Sequence, residues 1–326
     1  MATTKITNVL RGLFIGSGSD GMQLNVFVNE IFSMAKATAT KASTSPPQVL
    51  YVGTATYNNP LAQDNQTKEL VALGCTVQTL LLNDTVDTAK DKFSNADIIV
   101  VSGGNTLFAV DRWKHLGIHH LFKQAGERGA ILTGGSAGAI VAFDSGHSDS
   151  GDPESFLHKQ DGAGANHEWE YVKVSGLSWL PGLCCPHYDK VQSNGILRAL
   201  DFDAMMLRHS GEMGLGIDHW SALKIDGAHY SVLSPEDKVG SVMADGSFSP
   251  TRQGKPGIWQ LTVNAADNSV VRTLVPPRGL VNDLLRVATT MVDDPRVETI
   301  RTQNPATGDI GEIGGGPEGE EKSTTQ

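Results

Sequence analysis

Through roughly the first 230 of its 326 residues, this chain alternates short β-branched apolar runs with longer stretches of helical periodicity. The runs are LRGLFIGSG (10–18), VLYVG (49–53), TVQTLLL (76–82), ADIIVVSGG (96–104) and GAILTGG (129–135). Helices are predicted between them, near 22–42, 61–73, 86–95 and 106–128, with Pro46-Pro47 stopping the first and Gly74 capping the second. Such alternation is the sequence form of a parallel sheet covered by helices on both faces. After residue 145 a loop rich in Gly, Asp, Ser and His is expected, followed by WLPGLCCPH, a helix over about 190–208, and GLGID. From about 221 the runs ALKIDG, HYSVL and IWQLTV shorten and alternate, which predicts antiparallel strands closing one edge of that sheet. The expectation is a doubly wound α/β domain over 1–301, with a core at about 10–235 and a β-rich extension at 236–301. The segment 302–326 ends in GGGPEGEEKSTTQ and is expected to be a disordered tail. No internal repeat is present.

Composition narrows the function classes. No apolar run approaches the roughly 18 residues that span a bilayer. Lys and Arg number 26 against 36 Asp and Glu, a formal charge of −10, and no local basic stripe overrides that field, so a nucleic-acid partner is not expected. The three cysteines, Cys75, Cys184 and Cys185, offer no disulfide framework, and MATTKITNVLRGLFIGSG lacks the form of a cleaved leader. A reducing, cytoplasmic setting is the expectation.

Three stretches carry candidate chemistry. In ILTGGSAGAIVAF an apolar strand runs into Gly134-Gly135-Ser136-Ala137-Gly138 and then a helix, the G-x-S-x-G form of a nucleophile elbow. A tight turn of that kind needs small neighbours, holds Ser136 in a strained conformation and exposes its oxygen at the carboxyl end of the sheet. An ordinary glycine-rich turn or a phosphate loop is the plainer reading of such a motif, but its place after a fifth strand favours the elbow. In VVSGGNTLFAVDRW a strand ends in Ser102-Gly103-Gly104-Asn105-Thr106, so the amides at Gly104 or Asn105 project from the same edge, as an oxyanion hole requires. In CCPHYDKVQ, Pro186 fixes the backbone before His187 at a strand end, a suitable place for a general base. Adjacent Cys184 and Cys185 in an apolar strand are expected to be buried small hydrophobes. Gly16-Ser17-Gly18-Ser19-Asp20-Gly21 lacks dinucleotide and P-loop spacing and is expected to be a turn, and no His-Glu-x-x-His spacing points to a metal. No cofactor is expected.

Taken in order, Ser-Gly-Gly-Asn-Thr, Gly-Gly-Ser-Ala-Gly-Ala, Gly146-His147-Ser148-Asp149-Ser150, Pro186-His187-Tyr188-Asp189 and Gly214-Leu215-Gly216-Ile217-Asp218 resemble the peptidase family of aspartyl dipeptidase (peptidase E) and cyanophycinase. The resemblance covers about residues 10–235. It implies a flavodoxin-like sheet of the class I glutamine amidotransferase type, Ser136 as nucleophile, His187 as base, and the amides of Gly104 and Ala137 as oxyanion hole. The family's acid falls either in the loop after the elbow, here Asp149, or just after the Gly-Ile-Asp strand, where this chain departs by placing His219. Asp149 is therefore the expected acid and Asp218 the alternative. The implied activity is a serine peptidase releasing an N-terminal aspartate from a small acidic peptide, with Arg198 and Asn105 as candidate substrate-binding residues and a homodimer left open. Cleavage of an aspartate-arginine polymer is the enzymatic alternative, and a catalytically silent binding protein, favoured by His219, is the other.

Overall fold

A computed structural model describes residues 10–38, 45–158 and 169–307. The amino-terminal nine residues and most of the expected tail, 308–326, lie outside the described residues. In chain order the elements are β1 (Arg11–Ile15), α1 (Asn25–Thr38), β2 (Gln48–Val52), α2 (Pro60–Ala72), β3 (Thr76–Leu80), α3 (Val86–Asn95), β4 (Ile98–Val101), α4 (Thr106–His115), α5 (His119–Arg128), β5 (Ile131–Gly135) and α6 (Ala137–Ile140). There follow β6 (Phe143–Ser148), β7 (Val172–Ser175), β8 (Leu180–Pro186), α7 (Arg198–Arg208), β9 (Gly214–Ile217), β10 (Ala222–Asp226), β11 (His229–Leu233), β12 (Ile258–Asn264), β13 (Ser269–Leu274), β14 (Arg278–Leu280), α8 (Val281–Leu284) and α9 (Arg296–Gln303).

The five apolar runs form the parallel strands β1, β5, β4, β2 and β3 of an eight-stranded sheet, and β10, β11 and β14 extend it antiparallel from β1. Period-two alternation divides each strand between two cores. Leu13 and Ile15 of β1 face α1, where they meet Phe27, Val28 and Ile31, while Phe14 faces the opposite core and meets Phe143 edge-on. The fold is the expected α/β class with a parallel-rich sheet.

Strands β6 to β9, which follow the elbow, and later β12 and β13 do not extend that sheet. They build a second one, in the order β13-β12-β9-β8-β6-β7, which α7 covers through Phe202, Met205 and Met206. IWQLTV, expected at the edge of the first sheet, pairs antiparallel with β9 in the second. The stretch expected to be loop after residue 145 is strand β6 up to Ser148, because its buried Ser145, His147 and Ser148 carry no apolar signature. The helix expected over 106–128 is two, broken at Gly117 with φ +70°, and the one expected over 190–208 begins at Arg198. Residues 302–307, read as the start of a tail, continue α9 and then dock: Asn304 accepts from the Leu157 amide at 3.0 Å and donates to the Tyr57 hydroxyl at 3.1 Å. Cys75, Cys184 and Cys185 are buried free thiols. Among the described residues no helix is long and apolar enough to cross a membrane, and no cluster of three or more His, Cys, Asp or Glu is arranged to hold a metal.

Candidate active site

Neighbouring parallel strands β1, β5 and β4 end at one rim, so the loops that follow them converge. β5 enters that rim through Gly135, where a Cβ would lie 1.8 Å from the Ser17 carbonyl oxygen. Ser136 follows with φ 57° and ψ −117°, conformational strain of the sort an elbow stores. Its amide donates to the Ile15 carbonyl at 3.2 Å, which ties the strained turn to β1. Its side chain faces two other loops: a Cβ on Gly103 would sit 3.4 Å from that of Ser136, and one on Gly18 would sit 3.8 Å away. Ser136 is 8% exposed, and its hydroxyl makes no hydrogen bond to any described residue. Catalytic contacts in a free enzyme are often long and tighten with substrate.

Two amides flank this serine. Gly104 holds φ +112°, and a Cβ there would collide with the Ala55 carbonyl oxygen at 2.2 Å, so only glycine brings the loop this close. Ala137 opens α6 directly after Ser136. Among the described residues neither amide is consumed in a turn or cap hydrogen bond. Asn105 spends its side chain on the scaffold: its carbonyl caps α4 by accepting from the Phe108 amide at 3.0 Å, and its amide donates to the Ser155 hydroxyl at 2.8 Å.

His187 stands at the end of β8, beside the end of β9 where Pro186 pairs with Ile217. Burial, reinforced by Arg198 and then by His219, depresses its pKa well below the ordinary histidine value, which favours the neutral ring. Its Nδ1 lies 3.2 Å from Nδ1 of His219, and Nε2 of His219 lies 3.1 Å from Oδ2 of Asp20. The His219 amide donates to Asp189 at 2.7 Å, and the other Asp189 oxygen accepts from Arg252 at 2.6 Å. The loop after β1 thus approaches Ser136 at Gly18 and contacts His219 through Asp20.

Neither expected acid is bonded to the His187 ring. Asp149 lies 3.7 Å from Nη1 of Arg198. Asp218 is bound elsewhere, accepting from the Ser241 amide at 2.9 Å, the Ser241 hydroxyl at 2.7 Å and the Gly257 amide at 3.0 Å, and burial pushes its pKa up to about 8. Arg198 is fully buried at the start of α7. It donates to Nδ1 of His147 at 3.2 Å, to the His147 carbonyl at 2.5 Å and to Gln192 at 2.7 Å, and its guanidinium stacks 4.8 Å from the Tyr171 ring. His147 in turn reaches Asp201 at 2.8 Å, and burial lowers its pKa to about 4. In the sequence Asp20 reads only as part of a turn, not as a site residue. The signal available was positional, since it lies in the loop after the first strand, on the same rim as the elbow.

The candidate site thus draws a strained serine on a strand-to-helix turn and two unspent amides from the first sheet and a neutral histidine from a strand end of the second. The chain belongs to peptidase family S51, whose family model matches residues 16–233. Along most of its length it is also similar to a Trypanosoma brucei brucei protein named G2/mitotic-specific cyclin-1, at 26% identity over 318 residues, 88% of this chain and 90% of that protein. It is 36% identical over 93 residues to the uncharacterized peptidase YgaJ of Bacillus subtilis (strain 168), a match spanning 28% of this chain and 33% of the relative. A solved peptidase from an acI-B1 Actinobacterium is 17% identical, with a TM-score of 0.48 covering 69% of this chain and 88% of that one.

Proposed function

We propose that this chain is a serine-type peptidase that cleaves small peptides through an acyl-enzyme and releases an N-terminal aspartate. The observation that carries the reading is the strained Ser136, held between the loops of Gly18 and Gly103 beside the amides of Gly104 and Ala137. In this reading Ser136 Oγ attacks the scissile carbonyl carbon and its proton passes to Nε2 of His187, because Nδ1 is occupied by His219. The oxyanion rests on the two amides. His187 then gives that proton to the leaving amine, and a water molecule attacks the acyl-serine with His187 again as base, which restores Ser136. The preference for an acidic residue is what the family resemblance implies, since Arg198, the cation expected to bind it, is fully buried and donates to His147 and Gln192. Asp149 and Arg198 belong here to one cluster that shapes the rim. The cyclin name of the trypanosome relative is not carried over, because the family match and the strained elbow serine point to acyl transfer.

The test combines active-site labelling with substrate comparison. A fluorophosphonate should label Ser136 in the wild type and nothing in Ser136→Ala, and that substitution should lower Asp-X dipeptide hydrolysis by roughly 10⁴ to 10⁶. Ser136→Ala keeping a tenth of the activity would overturn the mechanism. A wild-type specificity constant for Asn-X equal to that for Asp-X would remove the acidic preference and leave the peptidase.

A further inference from the structure

The geometry points to a positioning relay from Asp20 through His219 to His187, standing where a serine hydrolase ordinarily keeps a carboxylate. It rests on the reading of Ser136 as nucleophile and His187 as base. An ionised carboxylate can only accept, so the 3.1 Å contact with Asp20 requires the hydrogen of His219 on Nε2. A neutral imidazole carries one N–H, which leaves Nδ1 of His219 as a bare acceptor. The 3.2 Å contact between the two Nδ1 atoms then needs its hydrogen from His187. His187 is therefore held with hydrogen on Nδ1 and a free lone pair on Nε2, the tautomer that can take a proton from Ser136. The opposite assignment sets a bare His219 Nε2 against the Asp20 carboxylate, lone pair to lone pair. One arrangement of two neutral rings satisfies both contacts.

The relay also says which charge state stops the site. A protonated His219 carries hydrogen on both nitrogens, donates to His187 Nδ1, and forces the His187 hydrogen onto Nε2, the wrong atom for a base. The groups facing His219 are Asp20 on the β1 loop, Asp189 and Lys190 after β8, and the neighbouring Trp220 ring, while Arg198 from α7 bears on His187. Burial and Lys190 keep His219 neutral against the pull of Asp20 and Asp189. Asp20 is 60% exposed on its side chain, so its replacement is tolerated by the fold.

The experiment measures the rate of fluorophosphonate labelling of Ser136 by intact mass, together with histidine ¹⁵N spectra of the full chain. Asp20→Ala should slow labelling by roughly 10- to 100-fold, the usual effect of losing an orienting partner, with an unchanged melting temperature. His219→Glu sets a carboxylate directly against His187 and should label within about tenfold of the wild type. In that background Asp20→Ala should change the rate less than roughly twofold, because the coupling between positions 20 and 219 is gone. The spectra should show hydrogen on Nδ1 of His187 and on Nε2 of His219, a readout independent of turnover and available even if His219→Glu does not fold. The relay is overturned if Asp20→Ala labels at the wild-type rate, if Asp149→Asn slows labelling where Asp20→Ala does not, or if His187 carries its hydrogen on Nε2. Failure of the wild type to label at Ser136 overturns the serine reading itself, and the relay with it.

Discussion

Gly104→Ala should disable the oxyanion hole while leaving the fold standing, and its two costs can be separated. The first is conformational: at φ +112° an alanine sits on the disfavoured side of the backbone map, which costs about 1–2 kcal/mol. The second is a collision. The new Cβ would lie 2.2 Å from the Ala55 carbonyl oxygen and 2.8 Å from its carbon, so the loop must retreat by about 0.8 Å to reach 3.0 Å from that oxygen. That retreat also strains the 2.8 Å bond from the Asn105 amide to the same carbonyl. A displacement near 1 Å takes the Gly104 amide off the oxyanion, and loss of one such donor lowers turnover by about 10² to 10³. Gly74→Ala is the internal control, since φ is +92° there and nothing lies within 4 Å of the added carbon. Urea unfolding of both variants should show a similar conformational cost with an added collision penalty only for Gly104→Ala. Dipeptide hydrolysis should show kcat reduced and KM little changed for Gly104→Ala, and neither changed for Gly74→Ala. A folded Gly104→Ala enzyme keeping a third of wild-type kcat would remove the Gly104 amide from the mechanism.

Two further outcomes concern pH. The base must be neutral to act, and burial depresses the pKa of His187 well below 6.5 and that of His219 in the same direction, so activity persists as the pH falls below 6.5; an acidic limb of kcat/KM centred above 6.5 would contradict the buried neutral pair. Asp218 has its folded pKa raised to about 8 from 3.8, so the folded state holds the extra proton between those values and the stabilisation it contributes, full below 3.8, is lost as the pH rises towards 8. Asp218→Asn should therefore gain stability relative to the wild type between pH 5 and 8 in thermal melts, and a pH-independent difference between the two proteins would show that Asp218 is ionised.

What could be read from the sequence follows how local each feature is. Strands β1 to β5 were legible from short runs rich in apolar and β-branched residues, the clearest being IIVV of β4, whose four residues are all buried. The elbow and the Gly104 turn were legible for the same reason, since a few adjacent residues fix their geometry. Strand β6 was not, because a buried strand reading FDSGHS satisfies its polar groups through neighbours distant in sequence: Ser145 donates to Glu212, and His147 meets Asp201 and Arg198. Gly117 sits inside a continuous helical pattern and still ends a helix, as tertiary packing of Trp113 and Phe122 lets the chain turn between them. Asp20 was illegible as a site residue for the plainest reason, a separation of 199 positions from the histidine it touches.

The departure at His219 and the segment beyond the family match, residues 234 onward, belong together. A histidine in place of a carboxylate works only if its ring is aimed, and the residues that hold its backbone are themselves held from that segment. Asp218, immediately before it, accepts from Ser241 and Gly257, and Ser241 is fixed in turn by the Trp259 indole at 2.7 Å. Asp189, which accepts from the His219 amide, is clamped by Arg252. Asp218 and the partner of the His219 amide are thus both held by residues between 241 and 259, in the connection leading into β12 and at the start of that strand. An imidazole reaching two partners 3.1 and 3.2 Å away leaves little angular freedom, and a hydrogen bond weakens steeply once its angle falls below about 120°. Substitutions at Arg252 or Trp259 should therefore reach Ser136 chemistry through His219, without contact with substrate. If the proposed relay operates, residues 241–259 are what give its histidine the rigidity it requires.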